Sequence, residues 1–183
     1  AYSLQLERGS FTQSAWVRPA DAVAGGIISQ YDENPEMRYP SIYMTASYGL
    51  TAGFGTFYDW NDFATADNVL QPDAWSLVTA RFDGSTYSLF VNGVQVASSD
   101  ALAGQVPYPA DRFNIGDGFV GDIDDVQIFV RALSDEEILS LARAGWRDAD
   151  LVDDSSWSAD VQGALEGSYR VDVRGWDAYN HFD

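Results

Sequence analysis

The sequence predicts an all-β protein: two antiparallel sheets packed face to face as a sandwich, with one short helix near residues 135–144. Short runs of residues alternate between apolar and polar at period two, the signature of strands with one face buried. Turn pairs, including Asp83-Gly84 and Asn92-Gly93, separate several of these runs at hairpin spacing. Hydrophobic residues make up 46% and aromatics 14% of 183 residues, enough for one two-sheet core of generous size, or for one domain and a fragment of another.

Taken in order, Tyr2, Leu4 and Leu6 alternate with Ser3, Gln5 and Glu7 in an opening strand. Phe11 to Arg18 is a second, stopped by Pro19, and Ile27 to Tyr31 a third. Asp32, Glu33, Asn34, Pro35 and Glu36 then mark a turn with a local negative cluster. Ser41 to Ser47 and Gly53 to Tyr58 read as two more strands, the latter with glycine on one face and Phe54, Thr56 and Tyr58 on the other. From Asp59 to Asp73 the alternation breaks into a loop long enough to imply work beyond joining strands. Leu77 to Phe82, Tyr87 to Val91 and Val94 to Ser98 are consecutive hairpin strands, and Ala101 to Arg112, with Pro107 and Pro109, is an irregular connection.

Phe113 to Ile115 leads through Gly116, Asp117 and Gly118 to the stretch from Phe119 to Trp146. At period two, Asp122, Asp124, Val126, Ile128 and Val130 share one face of a strand while Ile123, Asp125, Gln127 and Phe129 share the other. Both faces are apolar at the far end, which predicts an interior strand with Asp124 directed at the core. Ser134, three residues before Glu137 and just ahead of Ile138, Leu139, Leu141 and Ala142, forms a capping box that opens the helix, and Gly145 can close it.

Beyond Trp146, acids and serines form a polar linker before a further strand at Tyr169 to Gly175. The domain boundary is accordingly placed at residue 147, giving 1–147 as the sandwich and 148–183 as linker and strand. A single strand is not stable alone, so it either docks on the sandwich or belongs to a neighbouring domain of a larger chain.

With 28 acidic and 10 basic residues the net charge is −18, and every basic residue is arginine. A phosphate backbone would be repelled, so nucleic acid is a poor partner, whereas divalent cations are attracted. Of the acids 22 are aspartate, which favours turns and compact cation sites over helix interiors. The absence of cysteine excludes disulfides and thiolate metal sites. No stretch is long and apolar enough to insert into a membrane as a helix. The first residues do not read as a signal peptide, so a secretion signal is expected outside this sequence.

The run G-D-I-D-D-V-Q-I-F-V-R-A-L-S-D-E-E-I resembles the closing signature of laminin-G-like, concanavalin-A-like jelly-roll modules of bacterial surface and secreted proteins. Three more pieces match in order: F-T-Q-S-A-W-V-R-P from Phe11, W-S-L-V-T-A-R-F-D-G-S-T-Y-S-L-F-V-N-G from Trp75, and N-I-G-D-G from Asn114. E-G-S-Y-R-V-D-V-R-G-W-D, near the end, resembles one strand of an immunoglobulin-like repeat found beside such modules. The resemblance implies a jelly-roll sandwich, an extracellular or cell-surface location, and a calcium ion at a sandwich edge.

Candidate ligands for calcium are Asp124 and Asp122, about 6.5 to 7 Å apart along their strand, with Asp32 and Asn34 from the acidic turn. A core-facing carboxylate needs N–H donors or a cation, and calcium takes six to eight oxygens. Asp124 could equally tie down a loop without metal. For saccharide binding, Tyr58, Asp59, Trp60, Asn61 and Asp62, followed by Phe63, combine flat apolar rings with planar polar groups. Trp60 and Phe63 could instead fold inward as core, and the same loop could meet a protein. Some jelly-roll glucanases carry E-x-D-x-x-E on a strand, and the corresponding positions here are Asp122, Asp124 and Gln127. The last is an amide and cannot act as general acid. His181, the single histidine, lies in the terminal segment and no cysteine nucleophile exists. The sequence therefore points to a non-catalytic binding module for a glycan, with a protein-adhesion module as the alternative and a glycoside hydrolase third.

Overall fold

Short alternating strands build two five-stranded sheets in the computed structural model, which describes residues 9–29, 39–56, 60–65, 67–107, 113–143, 150–153 and 156–158. The strands in chain order are β1 (Phe11–Pro19), β2 (Gly25–Ser29), β3 (Ser41–Met44), β4 (Leu50–Gly55), β5 (Trp60–Ala64), β6 (Ser76–Phe82), β7 (Tyr87–Val91), β8 (Val94–Ser99), β9 (Asn114–Ile115) and β10 (Gly121–Phe129). One sheet has the order β10-β1-β6-β7-β8 and the other β5-β4-β3-β2-β9. Every strand pair within them is antiparallel. This is the expected all-β jelly-roll sandwich with one helix, α1 (Asp135–Arg143). The chain divides into two units, Ala1–Ala142 and Arg143–Asp183. In the second, β11 (Asp150–Asp153) pairs with β12 (Ser156–Ser158). The predicted strands Tyr2 to Glu7 and Tyr169 to Gly175 lie outside the described residues.

Between the sheets, alternate residues of each strand converge. Phe11, Ala15 and Val17 of β1 and Val78, Ala80 and Phe82 of β6 meet Ile42 and Met44 of β3 and Leu50, Ala52 and Phe54 of β4. Tyr87 stands at the centre, its ring 5.6 Å from Phe11, 5.9 Å from Phe54, 5.4 Å from Phe63 and 5.8 Å from Phe82. Each such ring contributes roughly 1.5 to 3 kcal/mol by leaving water. Gln13 ties the layers together, its Nε2 donating to the Pro40 carbonyl at 2.8 Å.

The segment from Asp59 to Asp73 departs from the loop expectation. Trp60–Ala64 is edge strand β5, paired with β4 from Thr51↔Ala64 to Gly55↔Trp60. In its run W-N-D-F-A, Asp62 interrupts the face of Trp60 and Ala64 and Asn61 shares the other with Phe63, so period two gives no apolar face to recognise. It is held by pairing to β4, which itself starts at Leu50 rather than at Gly53.

The strand predicted to be interior, β10, is a sheet edge among the described strands, and Asp124 does not face the core. Both corrections have physical causes. Ser14 pairs with Gln127 and Trp16 with Asp124, so Asp125 and Val126 together oppose Ala15 in a β-bulge. Asp125 sits at φ 46°, the left-handed region that accommodates the extra residue. The bulge resets the alternation: Ile123 before it and Val126 and Ile128 after it all pack on the core. Asp122 and Asp124 consequently stay exposed. The second apolar face, read as a sign of burial within a sheet, is covered by α1 instead, for Phe129 packs with Phe90, Leu133, Ile138 and Leu141.

Helix α1 begins as the capping box predicts. The Glu137 amide donates to Ser134 Oγ at 3.2 Å and the Ser134 amide to Glu137 Oε2 at 2.8 Å. Arg131 adds a two-pronged contact to Glu137 at 2.7 and 2.8 Å. These bonds, Arg131 first and the Ser134 amide second, hold the Glu137 carboxyl down at about 2. The helix lies over the Asn92-Gly93 turn, where a Cβ on Gly93 would stand 2.8 Å from Leu139 Cδ1 and 2.9 Å from its Cα. Both turn residues have positive φ, as a tight hairpin requires.

Candidate functional site

The outward face of the β5-β4-β3-β2-β9 sheet carries the candidate site. Residues paired directly across antiparallel strands share a face, so the register Gly26↔Tyr43↔Thr51↔Ala64 sets one row and Gly53↔Asp62 and Gly55↔Trp60 the next two. Ile42, Met44, Ala52 and Phe54 point to the core, leaving Tyr43, Thr51, Trp60 and Asp62 on the opposite side. Strand β4, between β3 and β5, therefore offers only Thr51, Gly53 and Gly55 outward.

The missing side chains leave the space above β4 open to its neighbours' rings. Tyr43 on β3 and Trp60 on β5 lie on either side of β4, about 9 to 10 Å apart across two strand spacings and four β4 residues apart along the strand, Tyr43 opposite Thr51 and Trp60 opposite Gly55. Their rings nevertheless meet above it, 6.4 Å between centroids and 85° apart. A side chain at Gly53 cannot be fitted, since a Cβ there would lie 2.1 Å from the Asn61 carbonyl oxygen and 2.7 Å from Asp62 Cα, both backbone atoms. Around this pair lies a groove of about 500 Å³, lined also by Gly25, Gly26, Thr45, Thr51, Asp62 and Asp117. Asp117 enters from the turn after β9, where its carbonyl accepts the Gly26 amide at 2.7 Å. Both carboxylates are exposed, while Tyr43 and Trp60 are half-buried.

The structure divides the predicted saccharide-binding residues. Trp60 and Asp62 line the groove. Asn61, between them on β5, alternates to the opposite side with Phe63, and Phe63 packs on the core. Tyr58 and Asp59 lie outside the described residues. Tyr43, Thr51, Gly26 and Asp117 were missed by the sequence reading. The signal was present in part: Tyr43 alternates with Ile42 and Met44, and one face of the β4 segment is glycine.

Of the predicted calcium ligands, Asp122 and Asp124 are among the described residues. Asp122 Oδ2 accepts Arg18 Nε at 2.8 Å and Nη2 at 2.5 Å. Asp124 Oδ1 accepts the Asp125 amide at 2.8 Å, which is the metal-free role of tying down the local backbone. Asp32 and Asn34 lie outside the described residues. Among the described residues no three aspartate, glutamate or histidine side chains stand together as a metal-binding group. Asp122 and Asp124 face outward, each with one carboxylate oxygen accepting a hydrogen bond. Gln127, third in the glucanase-like spacing, donates from Nε2 to Asp125 Oδ2 at 2.8 Å.

Comparisons with known proteins agree with this architecture. The sequence matches no curated protein. Among solved structures, the binding domain of Paraclostridial Mosquitocidal Protein 1 aligns at 16% identity and TM-score 0.60, over 76% of this chain and 38% of that one. A botulinum neurotoxin type C structure, whose cell entry depends on two ganglioside molecules, aligns at 16% identity and TM-score 0.58, over 78% and 36% respectively. The Ruminococcus gnavus IT-sialidase CBM40 bound to α2,3-sialyllactose aligns at 16% identity and TM-score 0.52, over 73% and 83%. This chain thus spans little more than a third of the two toxin chains, and the likeness is one of fold. A laminin-G-type family model, described as the Concanavalin A-like lectin/glucanases superfamily, covers residues 2–139. With its match over most of the sequence and two five-stranded antiparallel sheets behind it, the chain belongs to the concanavalin A-like lectin/glucanases superfamily.

Proposed function

We propose that this domain is a non-catalytic carbohydrate-binding module of a larger extracellular or cell-surface protein, and that its ligand lies in the groove over β3, β4 and β5. The observation that carries the reading is the Tyr43–Trp60 pair standing over glycine. A pyranose ring presents an apolar C–H face and a rim of hydroxyls; two aromatic rings take the first, and Asp62, Asp117 and Thr51 face the second. The botulinum type C and CBM40 structures, which share the fold and bind ganglioside or sialyllactose, support a glycan ligand, while a botulinum neurotoxin DC binding domain in complex with rat synaptotagmin II keeps a protein partner as the alternative.

Hydrolysis is disfavoured by the same geometry. A glycosidase holds one carboxylic acid in an apolar pocket opposite a second carboxylate, whereas Asp62 and Asp117 are both exposed. At the glucanase-like positions Asp122 is bound to Arg18 and Gln127 has no acid to offer.

A glycan array followed by calorimetric titration of the best oligosaccharide tests the proposal. Tyr43→Ala and Trp60→Ala should each weaken binding at least tenfold, while Asn61→Ala, on the other side of the same strand, should leave it unchanged. Undiminished affinity in both aromatic variants would remove the groove from consideration. Binding of a protein but of no glycan would establish the adhesion alternative, and release of reducing sugar by the purified domain would establish the enzyme.

A further inference from the structure

The groove is chemically one-sided. Its charged lining side chains are Asp62 and Asp117, and no described arginine is among its lining residues. Three of the described arginines are engaged elsewhere: Arg18 with Asp122, Arg81 with Asp135 and Arg131 with Glu137. An acidic saccharide would bring its carboxylate into a groove whose charged side chains, among the described residues, are both aspartates, inside a protein of net charge −18. Like charges brought together in a cleft repel more strongly than in open water, because the low-dielectric walls focus the field. A neutral saccharide meets no such penalty. Its hydroxyls donate to the two carboxylates in charge-assisted bonds, which are shorter and stronger than bonds between neutral groups.

We infer that this groove selects neutral saccharides and rejects those bearing a sialic or uronic acid at the bound position, with Asp62 and Asp117 as the discriminating residues. This rests on the carbohydrate-binding reading above and adds the ligand class to it. The selectivity is independent of the stacking rings, which hold acidic and neutral sugars alike. It is also electrostatic, so it fades with ionic strength as the Debye length falls from about 10 Å at 0.1 M to about 3 Å at 1 M.

The test uses neutral hexose oligosaccharides ending in glucose, galactose or mannose, each paired with its counterpart carrying a sialic or uronic acid at the non-reducing end. Titrations are run at low and high salt with the parent protein and with a double variant, Asp62→Asn with Asp117→Asn. At low salt the acidic member of a binding pair should be at least tenfold weaker, which is about 1.4 kcal/mol. High salt and the double variant should each bring the ratio close to one. Equal or tighter binding of the acidic member overturns the inference and leaves the groove a carbohydrate site. A tenfold preference that survives in the double variant overturns the assignment to these two aspartates. If no member of any pair binds, the carbohydrate reading itself falls, and the selectivity with it.

Discussion

Deleting a residue from a core strand ordinarily inverts every side chain beyond it, yet deletion of Asp125 should be tolerated. Asp125 is the extra residue of the β10 bulge, opposite Ala15 together with Val126. Without it the strand would read Ile123 in, Asp124 out, Val126 in, Gln127 out and Ile128 in, the same faces they occupy now but in unbroken alternation. The deletion removes a non-glycine residue at φ 46°, whose strain is worth about 1 to 2 kcal/mol. It also removes the exposed bond from Gln127 Nε2, worth about 0.5 to 1.5 kcal/mol. These effects nearly cancel, so stability should change by no more than about 1 kcal/mol. Deletion of Gln127 is the control. There the bulge stays, Ile128 is turned out of the core and Phe129 is turned away from Phe90, Leu133 and Ile138. Two misplaced apolar side chains at roughly 1.5 to 3 kcal/mol each predict a loss of about 3 to 6 kcal/mol. Urea unfolding followed by tryptophan fluorescence would compare the two. Equal losses, or a loss above about 3 kcal/mol on deleting Asp125, would refute the account of the bulge and of where Asp122 and Asp124 point.

Tyr87 is fully buried with no hydrogen-bond partner for its hydroxyl among the described residues, and burial pushes its phenol up beyond the ordinary range. Tyr87→Phe keeps the ring and removes the stranded oxygen, so it should raise unfolding stability by about 1 to 3 kcal/mol; a loss would show that the hydroxyl is satisfied in solution. The Glu137 carboxyl is lowered from 4.5 to about 2 by Arg131 and the Ser134 amide. Its contribution is therefore full above about pH 4.5 and lost as the pH falls through about 2. Glu137→Gln should flatten the acid limb of the thermal midpoint in that window, and an identical pH profile would dismiss the capping contact. Asp124 bonds its own neighbour's amide, so any shift in calorimetric midpoint between millimolar calcium and excess chelator should be the same in Asp124→Asn as in the parent; a shift abolished by the substitution would return Asp124 to a metal site.

Features that depend on local chemistry are legible along the chain. Alternation along β1, β6 and β7, the Asp83-Gly84 and Asn92-Gly93 turns and the Ser134–Glu137 capping box each follow from neighbours in the chain, and the hairpins and helix stand close to where those signals put them. Tertiary structure alone decided which strands lie at an edge and which faces meet. The bulge at Asp125 is one residue of backbone geometry, invisible to period two, and it reversed the orientation of Asp124. Strand β5 has no apolar alternation, because an edge strand is fixed by pairing with its neighbour and not by its own pattern. The groove joins Tyr43, Trp60, Asp62 and Asp117 from three separate segments, which only sheet register brings to one surface. Gly53 and Gly55 of β4 carry no side chains between the two rings, which meet across that strand.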